Sequence, residues 1–249
     1  MKISIITVTY NCGDILDSCI ESIKSQTYND IEHILIDGGS TDNTLDIIRK
    51  NKDTISMIVS EPDDGLYDAL NKGFSIATGD VIGLLHSDDF YSDSNVIDKV
   101  VNVFEDPKVD ACFGDLKYVA AGNIDKVVRY WKAGNYKPRK FYWGWMPPHP
   151  TFFARKSIYE KLGLFNLELG SAADYEIMLR FLLKYRINTA YIPETLVYMR
   201  TGGVSNASIS NRLKANAMDR KAWKVNNLKP YPWTLYFKPL RKVLQWVWK

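Results

Sequence analysis

The feature that most constrains the fold is a regular alternation of apolar runs and amphipathic segments along the first half of the chain. Residues 2–10, 31–36, 55–59 and 81–85 are rich in β-branched and other apolar side chains, which is typical of strands. Between these runs, apolar residues recur at helical spacing. Strands that alternate with helices form βαβ units, and the strands of such units are parallel. The first half is therefore predicted to be an open α/β layer, a central, mostly parallel sheet flanked by helices.

The pattern changes after residue 104, and the second half is predicted to mix short strands with helices. A hairpin is expected to turn near Gly122 and Asn123, and the aromatic- and proline-rich residues 141–150 are expected to form a loop. Further elements are predicted as strands at 149–154, 187–192 and 196–200, and as helices at 156–162 and 173–184. The final residues, 206–249, are predicted to be a separate helical appendage.

Length and composition indicate an ordinary globular protein whose basic residues are concentrated near its end. The chain has 249 residues and 46% hydrophobic side chains, with no run approaching the roughly 18–20 apolar residues that span a bilayer. Residues 212–249 contain ten Lys and Arg against one acid, Asp219, whereas the preceding residues carry a net negative charge. This asymmetry favours an anionic surface as a partner of the tail. No signal peptide is recognised at the N-terminus, so a cytoplasmic location is expected.

Two adjacent acids, Asp88 and Asp89, follow the apolar run 81–85. Burying a carboxylate is costly unless a cation or hydrogen bonds compensate it. Open α/β sheets bind their ligands at the carboxyl edge, so the two acids are predicted to lie at a ligand site there. The alternative is that they cap the helix near residues 95–104, although Ser92, Asp93 and Ser94 lie closer to it.

Three further positions could contribute chemistry at the same edge, each with an ordinary structural alternative. Asp37 ends the second strand and could accept hydrogen bonds from a ribose or base, or could simply shape a turn. Lys72 could reach a diphosphate, or could pair with Asp68 at i,i+4 on a helix. Asp174 opens a predicted helix, either as a general base or as an acid favoured by the helix dipole. His149, between two prolines, fits a structural role as well as a catalytic one.

Several enzyme classes are disfavoured because their motifs are missing from the sequence. The first strand is not followed by Gly-x-Gly-x-x-Gly, and neither a Walker-type Gly-Lys-Ser/Thr nor a Gly-x-Ser-x-Gly elbow occurs. These absences argue against a dinucleotide oxidoreductase, a P-loop NTPase and an α/β-hydrolase. No RNA- or DNA-binding motif accompanies the basic tail, so nucleic acid is not expected as a partner.

Taken together, the motifs over residues 2–205 resemble family 2 of the glycosyltransferases, inverting GT-A enzymes that use nucleotide-diphospho-sugars. The similarity is to the bacterial exopolysaccharide and capsule-type members. It rests on five short motifs whose order and spacing are specific: Ile5-Ile6-Thr7-Val8-Thr9-Tyr10-Asn11, Asp37-Gly38-Gly39-Ser40-Thr41-Asp42, the stretch from Asp63 to Gly73, His86-Ser87-Asp88-Asp89, and Ala173-Asp174.

The resemblance implies a fold and a set of site residues. The expected fold is GT-A, with a nucleotide-sugar-binding half at 1–104, an acceptor half at 105–205 and the tail at 206–249. Mn²⁺ or Mg²⁺ would be held chiefly by Asp89, with Asp88 contacting the ribose, the sugar or the metal through water. Asp174 would be the catalytic base. The donor-binding residues implied are Thr9, Tyr10, Asp37, Asp64, Asn71, Lys72 and Asp88.

The sequence departs from the family pattern at four places. Gly38 stands where a second acid is common, His86 replaces the first acid of the metal motif, and Ala173 replaces a Glu before the catalytic Asp. The fourth departure is the lack of a His ligand after the last strand, where residues 203–205 are Gly-Val-Ser.

The resemblance implies a metal-dependent, inverting transfer of a sugar from a nucleotide-diphospho-sugar, by family analogy a UDP-sugar. The expected acceptor is a hydroxyl of a glycan or lipid-linked acceptor in bacterial surface polysaccharide synthesis. Two alternatives stay open at this point: a catalytically inactive nucleotide-sugar-binding scaffold, and a sugar-1-phosphate nucleotidyltransferase. The Trp-rich basic tail is expected to lie on the inner face of an anionic membrane, or else to pack on the protein itself.

Overall fold

The computed structural model describes residues 1–202 and 209–247, and its strands form one nine-stranded mixed sheet with helices on its faces. The spatial order of the strands is β3-β2-β1-β4-β8-β6-β9-β5, and β7 pairs with β6. The strands are β1 Ile3–Thr9, β2 Ile31–Asp37, β3 Met57–Ser60, β4 Val81–Leu84, β5 Asp89–Tyr91, β6 Ala111–Ala120, β7 Asn123–Trp131, β8 Phe153–Arg155 and β9 Thr189–Arg200.

The predicted parallel layer is confirmed for the first four strands. β1 pairs in parallel with β2 and β4, and β2 with β3, so Thr9 and Asp37 stand side by side at one edge. Beyond β4 the sheet is mixed: β8 runs antiparallel to β4 and β6, whereas β9 runs parallel to β6. The α/β fold class inferred from the sequence is therefore correct, with the parallel order confined to the first half and to the β6–β9 pair.

Eight α-helices cover this sheet within the described residues: α1 Gly13–Lys24, α2 Thr44–Lys50, α3 Leu66–Ile76, α4 Val96–Phe104, α5 Lys156–Leu162, α6 Ala173–Met178, α7 Ile209–Val225 and α8 Thr234–Val247. Their apolar stripes separate two cores. One core, with α3 and α6, lies on the face that carries Ile6, Ile34 and Leu84. The other, with α1 and α4, lies on the opposite face.

The structure differs from the sequence-based expectations at four places. The strand predicted at 149–154 is a 3₁₀ turn, His149–Thr151, followed by the short strand β8, Phe153–Arg155. The two strands predicted at 187–192 and 196–200 are one continuous strand, β9, because its pairing with β6 continues past irregular register near Asp115. The predicted helix 173–184 is α-helical only to Met178 and then widens into a π-helical turn, Leu179–Lys184. β5 was not predicted, and it begins at Asp89 itself, pairing antiparallel with β9.

The tail is not a separate appendage, because α7 and α8 pack on the second half of the body. Trp223 of α7 is 1% exposed and donates from its indole nitrogen to the hydroxyl of Tyr175, at 3.0 Å. Asn226 donates to the buried carboxylate of Glu176, also at 3.0 Å. The boundary expected at residues 205–206 and the tail residues Trp248 and Lys249 lie outside the described residues. In the described part of the chain, none of the helices combines the length and apolar character needed to cross a bilayer.

Candidate active site

The carboxyl ends of β1 and β2 form a tight polar turn organised by Asp37. Its side chain is fully buried and accepts five hydrogen bonds, from the hydroxyls of Thr9, Ser40 and Ser60 and from the backbone N–H groups of Gly39 and Ser40. Burial alone would raise the pKa of Asp37, but these hydrogen bonds outweigh it and leave the pKa lowered. A carboxylate offers about four lone-pair sites, so this one is saturated within the chain.

This saturation changes the interpretation of the predicted base-binding pair Thr9 and Asp37. Thr9 uses its hydroxyl on Asp37, at 3.1 Å, and is itself buried. A base could bind the Asp37 carboxylate only by displacing one of these donors, so that role stays a prediction. Tyr10, the next residue, is 66% exposed, so a planar base could stack on its ring without displacing any of these donors.

Gly38, where the family often has an acid, makes room for a neighbouring loop. A Cβ at this position would lie 2.4 Å from Oδ2 of Asp63. Asp63 in turn accepts from the backbone N–H of Gly65 at 2.8 Å, which shapes the turn before α3. The acid missing at position 38 is thus replaced, in nearly the same space, by the carboxylate of Asp63.

The donor-binding residues predicted in and before α3 are engaged with the protein itself. Asn71 exchanges two hydrogen bonds with the backbone of Phe165, each 3.0 Å long. The Lys72 ammonium lies 2.9 Å from Glu61, 3.5 Å from Asp68 and 3.1 Å from the Pro62 carbonyl. The hydrogen bond that the Lys72 ammonium donates to the Glu61 carboxylate is the main cause of the raised pKa of Lys72.

These contacts give Asn71 and Lys72 structural roles that sequence reasoning did not assign to them. Asn71 fastens the loop at Phe165 to α3, and Lys72 pins the 61–68 turn, so a diphosphate contact by Lys72 would require it to leave three acceptors. Asp64 is exposed, and its backbone N–H donates to Asp68 at 3.2 Å. Its side chain is left at the surface of the same turn.

Asp88 and Asp89, after β4, lack the partners within the described part of the chain that Asp37, Asn71 and Lys72 have. Asp89 is fully buried, and neither of its carboxylate oxygens has a hydrogen-bond partner. Burial, and then the charge of Asp88, hold the pKa of Asp89 well above its usual range. Asp88 is half-buried, and burial also raises its pKa. Two adjacent acids, one with both oxygens orphaned, are a site that calls for a cation.

The residues present fit a divalent cation that takes only part of its coordination from the protein. No group of three or more His, Cys, Asp or Glu side chains arranged to hold a metal occurs among residues 1–202 and 209–247. Mg²⁺ and similar hard cations are commonly held by one or two carboxylates, with substrate phosphates and waters completing the shell. The half-buried Asp88 is the accessible member of the pair, whereas the prediction gave the larger share to Asp89.

Arg200 holds the backbone of this acidic turn, and sequence reasoning missed it. Its guanidinium donates to the carbonyl of Asp88 and to the hydroxyl of Ser18, both at 2.9 Å, and lies over the ring of Phe90. Its charge opposes the burial that raises the pKa values of Asp88 and Asp89. The only available sequence signal was its place at the end of a predicted strand.

Asp174, the predicted base, lies at the start of α6 beside His149. Nδ1 of His149 is 3.3 Å from Oδ2 of Asp174, and the backbone N–H of Tyr175 donates to Oδ1 at 2.7 Å. Both side chains keep a quarter or less of their surface exposed. His149 is also close enough to Asp88 to lower that residue's pKa by its charge, so one imidazole relates the acidic turn to the predicted base.

A small cavity opens between α3 and α6 in front of this pair. Its lining contains the polar side chains of Tyr67, His86, His149, Tyr159 and Asp174, and the rest is apolar. Burial, and then the charge of His149, lower the pKa of His86 to about 4, so this ring is neutral near pH 7. The His86 and His149 rings meet edge to face, with centroids 5.8 Å apart.

The site therefore brings together His86, Asp88, Asp89, His149 and Asp174, three of which were predicted as functional. His86 was noted only as a substitution, and His149 was weighed evenly between structure and catalysis. A titratable ring flanked by prolines was the one sequence signal for His149. With Asp174 in the cavity beside His86 and the two acids directly after His86 and Ser87, a carboxylate could take a proton from a hydroxyl while a cation neutralises a leaving diphosphate.

Sequence comparisons relate this chain to a known family. The profile of the family described as "Glycosyl transferase family 2" matches residues 4–163. An uncharacterized glycosyltransferase of Mycobacterium tuberculosis is 33% identical over 183 residues, which cover 72% of this chain and 68% of the relative. A PGL/p-HBAD biosynthesis glycosyltransferase of Mycobacterium bovis is 29% identical over 211 residues, covering 83% of this chain and 80% of the relative.

Solved structures share the fold at low sequence identity. Residues 1–349 of S. aureus TarS, in complex with UDP-GlcNAc, superpose with a TM-score of 0.73 at 20% identity, covering 95% of this chain and 69% of that one. The chain spans 39% of a longer TarS chain. A Pyrobaculum calidifontis mannosyltransferase in complex with GDP-Man and Mn²⁺ gives a TM-score of 0.66 at 17% identity, covering 96% of this chain and 67% of that one. These likenesses establish a GT-A-type α/β fold.

Proposed function

The chain belongs to glycosyltransferase family 2, and we propose that it is an inverting, metal-dependent enzyme whose general base is Asp174. The observation that carries the proposal is the cavity between α3 and α6, which Asp174, 3.3 Å from His149, lines together with His86, two residues before Asp88. A base in this cavity and cation-binding acids on the turn that follows β4 would serve the two ends of a displacement at an anomeric carbon.

The proposed reaction is a single displacement. The acceptor hydroxyl oxygen forms a bond to the anomeric carbon as the bond from that carbon to the diphosphate oxygen breaks, and the hydroxyl proton passes to the Asp174 carboxylate. Attack from the face opposite the leaving group inverts the anomeric centre. Removing a general base typically slows a reaction by 10²–10⁴-fold.

The chain's own residues orient the reacting groups. The Tyr175 backbone N–H and the His149 ring contact different oxygens of Asp174 and hold its carboxylate plane. Asp88 and Asp89 would hold a Mn²⁺ or Mg²⁺ ion, which supplies charge neutralisation for the leaving nucleoside diphosphate when bound. Arg200 fixes the backbone that presents both acids. The exposed Tyr10 ring would stack on the base.

The donor is proposed to be a UDP-sugar and the acceptor a hydroxyl of a glycan or lipid-linked glycan of the bacterial surface. A fold neighbour binds UDP-GlcNAc, although another binds GDP-Man, and one relative is named for PGL/p-HBAD biosynthesis. A lipid-linked acceptor would place the enzyme at the inner face of the cytoplasmic membrane, consistent with the cationic tail.

The test compares Asp174→Asn with Glu160→Gln, an exposed acid on α5 with no contact to the site. Thermal shifts with a panel of UDP- and GDP-sugars, with and without Mn²⁺, identify the donor, and release of the nucleoside diphosphate measures turnover. Asp174→Asn should keep the donor-induced shift and lose turnover by 10²–10⁴-fold, while Glu160→Gln behaves as wild type.

Two results would contradict the proposal in different ways. Wild-type turnover in Asp174→Asn would remove Asp174 from the role of base. Donor binding by the wild-type protein with no turnover, whatever the metal or acceptor, would favour a nucleotide-sugar-binding scaffold instead of an enzyme.

A further inference from the structure

A surface of exposed aromatic and aliphatic side chains joins the 3₁₀ segment Pro138–Trp143 to the start of α8, and we call it the aromatic–basic face. Its large apolar members are strongly exposed: Trp143 45%, Tyr231 48%, Trp233 42%, Tyr236 59% and Leu240 55%. Single exposed apolar residues are ordinary on protein surfaces, whereas a contiguous group of them marks an interaction site.

These side chains are contiguous. Trp233 lies between Tyr231 and Trp143, with ring centroids 5.1 Å and 6.0 Å away. Tyr236 and Leu240 follow Trp233 at i+3 and i+7, which places them on the same side of the helix. One continuous apolar strip thus runs from the 3₁₀ segment along α8.

The strip is held firmly on the body. The Thr234 hydroxyl donates to the carbonyl of Tyr142 at 2.8 Å, and Nε of Arg241 donates to the carbonyl of Trp143 at 3.0 Å. Gly144 allows the closest approach, because a Cβ there would lie 2.3 Å from the backbone nitrogen of Lys238. The exposed rings are therefore a fixed outer surface, and α8 uses its other side to pack.

The charged residues in the segments that form this strip are all basic. Residues 126–159 and 220–249, which supply the whole face, contain no Asp or Glu and carry eight Lys and Arg each, half of the 32 in the chain. Lys137, Arg139, Lys140 and Arg241 have no acidic partner within 4.0 Å among the residues that the structure describes. Burial and the nearby charges of Arg241 and Lys137 lower the pKa of Lys140.

We propose that the aromatic–basic face docks on a bilayer containing anionic phospholipid, with the rings of Trp143, Trp233 and Tyr236 at the headgroup level. This inference rests on the proposed function, since a membrane-bound acceptor gives docking its purpose. Trp and Tyr favour the membrane interface, and juxtamembrane Lys and Arg are attracted to anionic lipid. A two-fold contact with a second copy would instead bring two sets of unpaired cations together.

Docking through this face would also orient the active site. The ammonium of Lys238, on α8, lies 3.7 Å from the ring centroid of Tyr175, and Tyr175 directly follows Asp174. Lys238 is in turn paired with Asp219 of α7, at 2.7 Å. The helix that meets the bilayer is therefore in contact with the helix that carries the base, so a lipid-linked acceptor would be met in a defined orientation.

The test is co-sedimentation of the full chain with vesicles of phosphatidylcholine alone or with phosphatidylglycerol added. The wild-type protein should pellet with the anionic vesicles and weakly with the neutral ones. Lys137→Glu/Arg139→Glu, at two exposed cations, should lower the partition coefficient roughly 30-fold. Tyr236→Ser/Leu240→Ser should lower it about tenfold on the same anionic vesicles.

Matched controls use exposed residues elsewhere: Lys52→Glu/Lys108→Glu for charge and Ile124→Ser/Tyr185→Ser for apolar surface. Both should bind as wild type, and all variants should keep the wild-type melting temperature and donor-induced thermal shift. Vesicle binding needs no substrate, so it fails or succeeds independently of the proposed reaction.

Equal pelleting of the wild-type protein with neutral and anionic vesicles would overturn the proposal. It would also be overturned if the two face variants bound as well as their controls. A dimer in light scattering that Tyr236→Ser/Leu240→Ser dissociates, with no vesicle binding by the wild type, would assign the face to a second copy instead.

Discussion

The turn after β2 and the turn after β4 are built from the same residue type on the same sheet but have opposite polar environments. At the first, the carboxylate of Asp37 accepts five hydrogen bonds from its own chain. At the second, the buried carboxylate of Asp89 accepts none, and Asp88 adds a like charge beside it. A carboxylate whose acceptor sites are all occupied by the chain stabilises its loop. A buried carboxylate without hydrogen bonds instead lowers the stability of the fold until a ligand compensates its charge.

This contrast distinguishes an acid that shapes its own turn from acids that can bind a ligand, which the sequence motifs alone do not do. Both acids belong to family motifs, and both were predicted as ligand contacts. Only the acids after β4 have acceptor capacity left for a ligand. The comparison predicts that substitutions at the two turns have opposite effects on stability and activity, and three experiments can break or sharpen that prediction.

The largest effect is expected at the orphaned pair. Asp88→Asn and Asp89→Asn should each lower metal-dependent turnover by about 10³-fold, because a cation at a developing charge supplies several kcal/mol. The melting temperature of the ligand-free protein should stay the same or rise, since each change removes one of two adjacent like charges. Turnover assays over a range of Mn²⁺ concentrations and thermal melts without ligand measure both quantities.

The same pair of variants decides how the cation is shared. A weaker apparent affinity for Mn²⁺ in Asp88→Asn than in Asp89→Asn would make the accessible acid the main ligand, against the expectation from the sequence. A marked loss of ligand-free stability in either variant would contradict the contrast between the two turns.

An effect of the opposite kind is expected at Asp37. Asp37→Asn should cost about 2–4 kcal/mol of unfolding free energy, because hydrogen bonds to a charged acceptor are each worth about 1.5–3 kcal/mol and the amide cannot accept all five. Urea denaturation measures the loss, with Asp46→Asn as the control at an exposed acid. Normal stability with lost donor affinity would instead make Asp37 a ligand-binding group.

Sequence patterns predicted the fold better than the site, for reasons visible at particular residues. The β1–β4 layer follows from local periodicity, which the chain carries in each segment. β5 was missed because its three residues gain strand structure only by pairing with β9, more than a hundred residues away. The same non-local dependence explains Asn71 and Lys72, whose partners Phe165 and Glu61 are chosen by packing.

The contact between Asp174 and His149 shows most clearly what sequence patterns cannot predict. Asp174 could be proposed from its motif, but its contact with His149 joins α6 to the 3₁₀ turn His149–Thr151, which the sequence had predicted as the start of a strand. The predicted appendage was wrong for a related reason. Basic and aromatic composition indicates a surface, and it does not reveal that Trp223 and Leu235 are buried against the body.

The smallest expected effect concerns His33 of β2, a buried side chain that has one ring nitrogen without a hydrogen-bond partner. Its ring is 2% exposed, with Nε2 3.1 Å from the Thr7 hydroxyl and Nδ1 without a partner. Burial lowers the pKa of His33 to about 4, from 6.5. Between these values the unfolded chain binds a proton that the folded chain does not, so the contribution of His33 to stability is fully present above pH 6.5 and falls as the pH falls toward 4.

His33 alone should lower the free energy of unfolding by about 1 kcal/mol between pH 6.5 and 5.5. Urea denaturation at these two pH values should show that loss in the wild-type protein, beyond any loss in His33→Gln. An identical pH dependence in both proteins would mean that the buried ring takes up its proton without penalty. His33 would then contribute nothing to the pH dependence of stability.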